Sequence, residues 1–447
     1  MSTPPGQPTD DVEFIPGSTA PAASPFEVFR HERLPNWALV RQRFDQDEIV
    51  DVEAAVREAF GSAGGTIRSG QRVCLAVGSR GIDRIAEVVR AAVGAIRDVG
   101  ADVFVIPAMG SHGGATADGQ VAVLASLGVD EASIGCEIRA SMETIQLGEV
   151  RGRIPVFIDR HAREDADVVI PINRVKPHTD FRGPVESGLL KMIAIGLGKQ
   201  RGADTFHSEG FAAFAELIPL VAALTLSRVN IPFGLALVEN GQARLRRVEL
   251  VPAAGMYERE RELNEEADRF LARLPFAELD VLILDRIGKD ISGLGMDSNV
   301  VGRYYTGPTG RPPRIQRIVV RDLTDETEGN AVGIGMADVV LRRAAERMDA
   351  AKTYMNCITA KTPEGARIAL MVDSDREALD VAIACCLRVD PATARVARVL
   401  DTKHLEWFYA SEALLAEIAE IGSCEVSGPA RPIGFDGGGT FTDVLPG

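Results

Sequence analysis

The sequence predicts an α/β protein of two domains, each built on a mostly parallel sheet. Three observations predict it. The chain has 447 residues, too many for one average domain. From residue 72 onward, short apolar runs alternate with longer runs of helical periodicity, the pattern of parallel βαβ units. The alternation restarts near residue 275 after a long charged helix, which separates a domain at 25–275 from one at 276–430. Residues 1–24, rich in Pro, Ser, Thr and Ala, read as a disordered tail, and 431–447 as a flexible one.

Composition narrows the class. An apolar share of 46% is enough for a sizeable core and argues against disorder. A net charge of -15 with sparse aromatics argues against nucleic-acid binding, which needs a broad basic surface. No apolar run reaches about 18 residues, so no membrane span is expected. MSTPPGQPTDDVEF lacks the basic and apolar regions of a signal peptide. The six cysteines show no CxxC spacing and read as small core residues in a reducing, cytoplasmic compartment.

Taken in order, an extended segment is expected at 37–40 and a helix at 51–60. RVCLAVG is a buried strand and SRGID a turn. In DRIAEVVRAAVGAIRDVG, the residues Ile85, Val88, Val89, Ala92 and Ile96 fall at helical spacing, and Gly100 stops the helix. VFVIP is the next strand, MGSHGGAT a loop, and Thr116 the N-cap of DGQVAVLASLG. DADVVIPI is a buried strand that runs into a polar loop holding His178. The apolar helical run SGLLKMIAIGL carries Lys191, and a second polar loop holds Lys199, Arg201 and His207. FAAFAELIPLVAALTLSR is an apolar helix, IPFGLALVEN a strand, and MYERERELNEEADRFLARL a charged amphipathic helix. VLILDRIG opens the second domain. IQRIVVRDL, GNAVGIGMADVVLRRAAERM, ARIALMVDSDREALDVAIACC and EALLAEIAEI continue the alternation, with no repeat of fixed period.

Ligands of open α/β sheets bind beyond the carboxyl ends of the strands. Three loops leave such ends: GSRGI with Arg80, MGSHGG with His112, and NRVKPHTDFRG with His178. Topology alone therefore places those three residues on one crevice. Between 174 and 201 there are six Lys or Arg against two acids, a basic patch that suits an anion in an otherwise acidic chain. GLGKQRG is not a phosphate loop, because Ile193 stands where the first glycine is required and a helix precedes it. FDGGGTFTD resembles a phosphate-gripping turn but has no helix after it. His31, His161 and His404 read as structural. His112, His178 and His207 lie in Gly-rich or basic loops, where glycine admits close approach of a bound group. A three-histidine zinc site is the generic reading of that set, though no HxH or HExxH spacing supports it.

Four stretches together carry a family resemblance: AVGSRGIDRIAEVVRA, IPAMGSHGGATADGQ, PINRVKPHTDFRGPVESGLLKMIAIGLGKQRGADTFH and IGKDISGLGMDSNVVGR. Over roughly residues 70 to 430 the chain resembles the nickel-dependent lactate racemases, as a distant homologue. The resemblance implies two α/β domains with a cofactor cleft between them. The cofactor it implies is a nickel-pincer nucleotide, a nickel pyridinium-3,5-bisthiocarboxylic acid mononucleotide, made by cofactor-synthesis proteins. Lys191 then matches the lysine tethered to the cofactor, and His207, sixteen residues on, the histidine that completes the nickel coordination. His112 and His178 match the two acid/base histidines. Arg80 matches an arginine that holds substrate or cofactor phosphate. Lys199 and Arg201, with Gly113 and Gly114, are expected around the nucleotide. Lys289 or Arg303 would meet the substrate carboxylate from the second domain.

The chain departs from the founding racemases in two places. Val77, Gly78 and Ser79 precede Arg80 where the founders carry an Asp, and the spacing from His178 to Lys191 is longer. Both departures lie near the substrate, so the expectation is a lactate-like 2-hydroxy acid, with the particular acid left open. The residue types suit that chemistry. The C2 hydrogen of such an acid can leave as hydride if its hydroxyl loses a proton, and histidine suits that proton transfer near neutral pH. Return to either face needs two opposed bases, with cations fixing the carboxylate. The alternatives are a zinc-dependent hydrolase or lyase using the three histidines, and a non-catalytic cofactor-binding homologue.

Overall fold

A computed structural model describes residues 24–79, 81–305 and 307–446. The tail expected over 1–24 lies outside them except for its last residue, and so does Arg80. The expected α/β class holds, with two large sheets and, among the described residues, two small two-stranded ones. The first has five strands in the order Asp102–Pro107, Arg72–Val77, Val168–Arg174, Phe233–Glu239 and Leu245–Pro252. The first four run parallel and the last is antiparallel. In the second sheet Leu370–Val372, Val339–Leu341, Arg314–Val320, Glu278–Leu284 and Val396–Val399 are parallel, and antiparallel strands extend it from there.

Period-two alternation explains how each sheet is covered. Cys74 and Ala76 point into the cluster on one face of the first sheet, and Val73, Leu75 and Val77 into the cluster on the other. In the second sheet Leu282 and Leu284 face one way, Val281 and Ile283 the other. Strands buried on both faces read as continuous apolar runs, which is why VCLAV and VLIL stand out in the sequence.

Two boundaries differ from those expected. The strand Asn36–Gln42 belongs to the second sheet, pairing with Trp407–Ser411 and Cys424–Val426. An isolated extended segment gives no local sign of its partner, since pairing is set by long-range contacts. Nor is 431–446 a free tail. Arg431–Pro432 pairs with the same strand, Trp37 donates to Asp443 at 2.7 Å, and the Phe441 N–H donates to Asp375 at 2.9 Å. The GGG turn is closed on Asp436, which accepts the N–H groups of Gly438 and Thr440, so those donors are taken within the turn.

Phe211–Arg228 is the one run among the described residues long and apolar enough to cross a bilayer, by length and composition only. Its Phe214, Leu217, Ile218, Val221 and Ala222 are buried in the core cluster on one face of the first sheet.

The two halves meet through the 175–188 loop, which leaves the Val168–Arg174 strand, and a short turn at 297–299. Ser298 donates to the Thr179 carbonyl at 2.6 Å, and Lys176 pairs with Asp297 at 3.3 Å.

Candidate active site

The expected apolar helix around Lys191 is interrupted. One α-turn, Leu189–Lys191, passes into a π-helical turn, Met192–Gly196, whose first carbonyl accepts the Leu197 N–H at 2.9 Å. Such turns rephase the side chains that follow and are frequent at functional sites. Glu260 anchors the start of this segment. Its carboxylate is fully buried, accepts the Leu190 N–H at 2.9 Å, and lies where any side chain at residue 188 would collide with it. Residue 188 is glycine for that reason.

Burial pushes the Glu260 carboxyl up to about 7, against the hydrogen bonds from Leu190 and Leu189 that favour its charge. Its folded pKa therefore exceeds the ordinary glutamate value of 4.5, and folding takes up a proton between those values. Stability falls as pH rises through that window and stays lower above it. Glu260→Gln removes the charge and keeps the shape. Its Tm relative to the native chain is expected to rise between about pH 5 and pH 8, by the equivalent of at most roughly 2–3 kcal/mol. Thermal denaturation of both proteins across that range checks it, and a pH-independent difference would contradict the burial argument.

His178 sits in a loop closed by backbone pairing of Lys176 with Ser187. Inside the loop the buried Glu186 accepts the His178 N–H at 2.6 Å and the Gly183 N–H at 3.3 Å. The imidazole is 7% exposed and packs on Phe181 at 4.5 Å between ring centroids. Its Nδ1 accepts the Asp180 N–H at 3.0 Å, with the Asp180 carboxylate 3.6 Å away. Its Nε2 meets Lys191 Nζ directly. The structure thus brings together two residues that lie thirteen apart in sequence.

His207 is placed in the last turn of the helix Lys199–Ser208, not in a loop. Phe211 and Phe214 flank its ring at 5.4 and 5.6 Å. Burial, and then the charge of Lys191, push it down to about 4, so it is neutral across the physiological range. Its Nδ1 is buried with no hydrogen-bond partner. His112 is exposed at the start of a short turn after Asp102–Pro107, and its Nδ1 meets the Ser79 hydroxyl from the adjacent strand's loop.

Other expected site residues are engaged elsewhere. Lys199 is fully buried, with Nζ 2.9 Å from Asp159, 2.6 Å from the Pro107 carbonyl and 3.1 Å from Gln120. It ties the Lys199–Ser208 helix to the sheet and cannot reach a phosphate. Arg201 is exposed and stacks over Phe157 at 4.4 Å. Arg303 is fixed by Asp338 at 2.6 Å and by the carbonyls of Met336, Ile315 and Gln316. Residues 315, 316 and 338 stand at strand starts, the end of the sheet opposite the strand carboxyl ends. Lys289 follows the carboxyl end of Glu278–Leu284, with Nζ 2.8 Å from the Gly293 carbonyl and 3.1 Å from Asn356.

Gly113 is required by packing: an added Cβ would lie 2.5 Å from the backbone of Gly119, and its φ is +67°. Gly114, at φ +64°, would meet nothing within 4 Å and faces open space. Among the described residues no group of three or more His, Cys, Asp or Glu is disposed to hold a metal, so the three-histidine zinc reading lacks its donor set.

Asp180, Glu186, Glu260, Ser79, Ser298 and Asn299 escaped the sequence reading. HTD and DSN are short polar strings without periodicity. The only available signal was a carboxylate two residues after His178.

No protein-family model matches the chain, and no curated protein matches it. Two solved structures are similar in arrangement. One is a structural-genomics target from Thermotoga maritima, at 14% identity, covering 81% of this chain and 99% of that one, with a TM-score of 0.49. The other is the lactate racemase apoprotein from Thermoanaerobacterium thermosaccharolyticum, at 12% identity, covering 84% and 94%, with a TM-score of 0.47. Both likenesses are low, and the functional reading rests on the chain's own residues.

Proposed function

We propose that this protein is a racemase or epimerase of a 2-hydroxy acid, using a nickel-pincer nucleotide tethered to Lys191. The observation that carries the reading is the direct contact of Lys191 Nζ with His178 Nε2, beside a neutral His207 whose Nδ1 has no protein partner. These residues fit such a group. A lone neutral imidazole offers one lone pair to a metal, so the remaining donors must come with the ligand. The Asp180 N–H on Nδ1 favours the His178 tautomer with its proton on Nε2.

In the proposed roles Lys191 holds the nucleotide, His207 ligates nickel, and Gly114 and Arg80 stand beside the nucleotide or the substrate. When bound, the group supplies a reversible acceptor for the C2 hydride. His178 moves the hydroxyl proton at Nε2. The Asp180 N–H supports the ring that donates from Nε2, and the Asp180 carboxylate supports the Nδ1–H ring that accepts there. His112, steadied by Ser79, does the same from a neighbouring loop. Lys289 is the second-half cation for the carboxylate.

The test is a chiral assay of 2-hydroxy acids, with metal analysis, on protein made alongside cofactor-synthesis proteins and nickel. Interconversion of enantiomers is expected. Protein that carries the adduct yet converts no acid of a broad panel would instead be a cofactor carrier. His207→Ala is expected to fold and to lose stoichiometric nickel, measured by inductively coupled plasma mass spectrometry; nickel retained at one per chain would remove His207 from the metal.

A further inference from the structure

The loop that presents His178 is held from the other half of the molecule. Ser298 is fully buried and donates to the Thr179 carbonyl at 2.6 Å. Asn299, 4% exposed, donates to the His178 carbonyl at 3.4 Å and accepts from Arg182, which also binds that carbonyl. Asp297 orders the pair, accepting the Asn299 N–H at 2.9 Å and its side-chain amide at 2.8 Å, while Lys176 at the loop's base reaches Asp297. Asp297 is itself anchored in the second half through Thr402. Two consecutive carbonyls, those of His178 and Thr179, therefore depend on second-half residues, and they precede the Asp180 N–H that selects the His178 tautomer.

We infer that Ser298 and Asn299 are positioning residues for His178, so that its proton-transfer geometry is completed by docking of the second half. This rests on the proton-transfer role proposed above for His178. Released from Ser298 and Asn299, the 178–182 turn loses the hold on the Thr179 carbonyl, and the His178 carbonyl keeps only Arg182, itself released from Asn299, so the Nδ1 contact loosens.

The experiment compares Asn299→Ala and Ser298→Ala with the native full-length chain. Carbethoxylation of each histidine by diethyl pyrocarbonate is followed by peptide mass spectrometry, which requires neither substrate nor cofactor. His178 labelling is expected to rise several-fold in both variants, while the already exposed His112 and the locally bonded His161 keep their native rates. Should Asn299→Ala unfold, all histidines would label together, and Ser298→Ala then decides. In the cofactor-bound enzyme kcat should fall with KM nearly unchanged, and the pH profile of kcat should shift. Native His178 labelling in both variants, or a loss of kcat with an unmoved pH profile, overturns the inference. If the native enzyme racemises nothing, the labelling result still stands, so the two readings fail separately.

Discussion

Protein expressed with nickel and the full set of cofactor-synthesis proteins should carry an added mass on the peptide containing Lys191, and Lys191→Ala should carry none. The expectation follows from the surroundings of the lysine. Its neighbours Leu190 and Met192 are buried, and its Nζ meets His178 Nε2. Lys191 itself is half-buried. A helix-surface lysine would send its charge out into solvent; this one sits where an α-turn becomes a π-turn, with Glu260 fixing the start of the segment. On the proposed role, loss of activity in Lys191→Ala should be complete, because Lys191 would hold the hydride acceptor. Lys191→Arg keeps the charge and should fail equally, which separates tethering from electrostatics. An unmodified Lys191 peptide from fully supplemented native protein would falsify the tether.

Much of the arrangement is legible in the sequence because it depends on local patterns. Apolar runs such as VCLAV and VVIPI mark strands buried on both faces, and the loops after them fall at one end of a parallel sheet by topology alone. That is enough to bring the loops of His112 and His178 to a common edge. What was not legible depends on distance. The partner of 36–42 is nearly four hundred residues away at Trp407–Ser411, and no local signal names it. Lys199 looked like a phosphate ligand because it lies in a basic stretch, but net local charge does not report a buried Asp159 at 2.9 Å. Arg303, one of the two cations expected at the carboxylate, is bound instead by three carbonyls and one carboxylate from separate segments. Lys289 follows a strand's carboxyl end, the criterion that located the first-half loops.

His178→Asn should lower racemisation by about two to four orders of magnitude, the usual contribution of one positioned acid or base. The variant should keep its cofactor mass and nickel, because neither Lys191 nor His207 is altered. Asparagine retains a polar group near Lys191 but cannot exchange a proton near neutral pH. Asp180→Asn tests the finer point. The backbone N–H that binds Nδ1 at 3.0 Å survives that change, while the carboxylate 3.6 Å from Nδ1 is lost. The Nε2–H ring is then left supported and the Nδ1–H ring is not. Taking a proton from the hydroxyl should suffer more than returning one. If His178 acts as base in one direction and as acid in the other, kcat should fall unequally in single turnovers at saturating substrate, with KM compensating because the equilibrium between enantiomers is fixed. The protonated ring also loses an anionic neighbour, so the basic form should persist to lower pH and the acid limb of the kcat profile should move to lower pH. Equal slowing of both directions with an unshifted acid limb would show that Asp180 serves His178 only through its backbone.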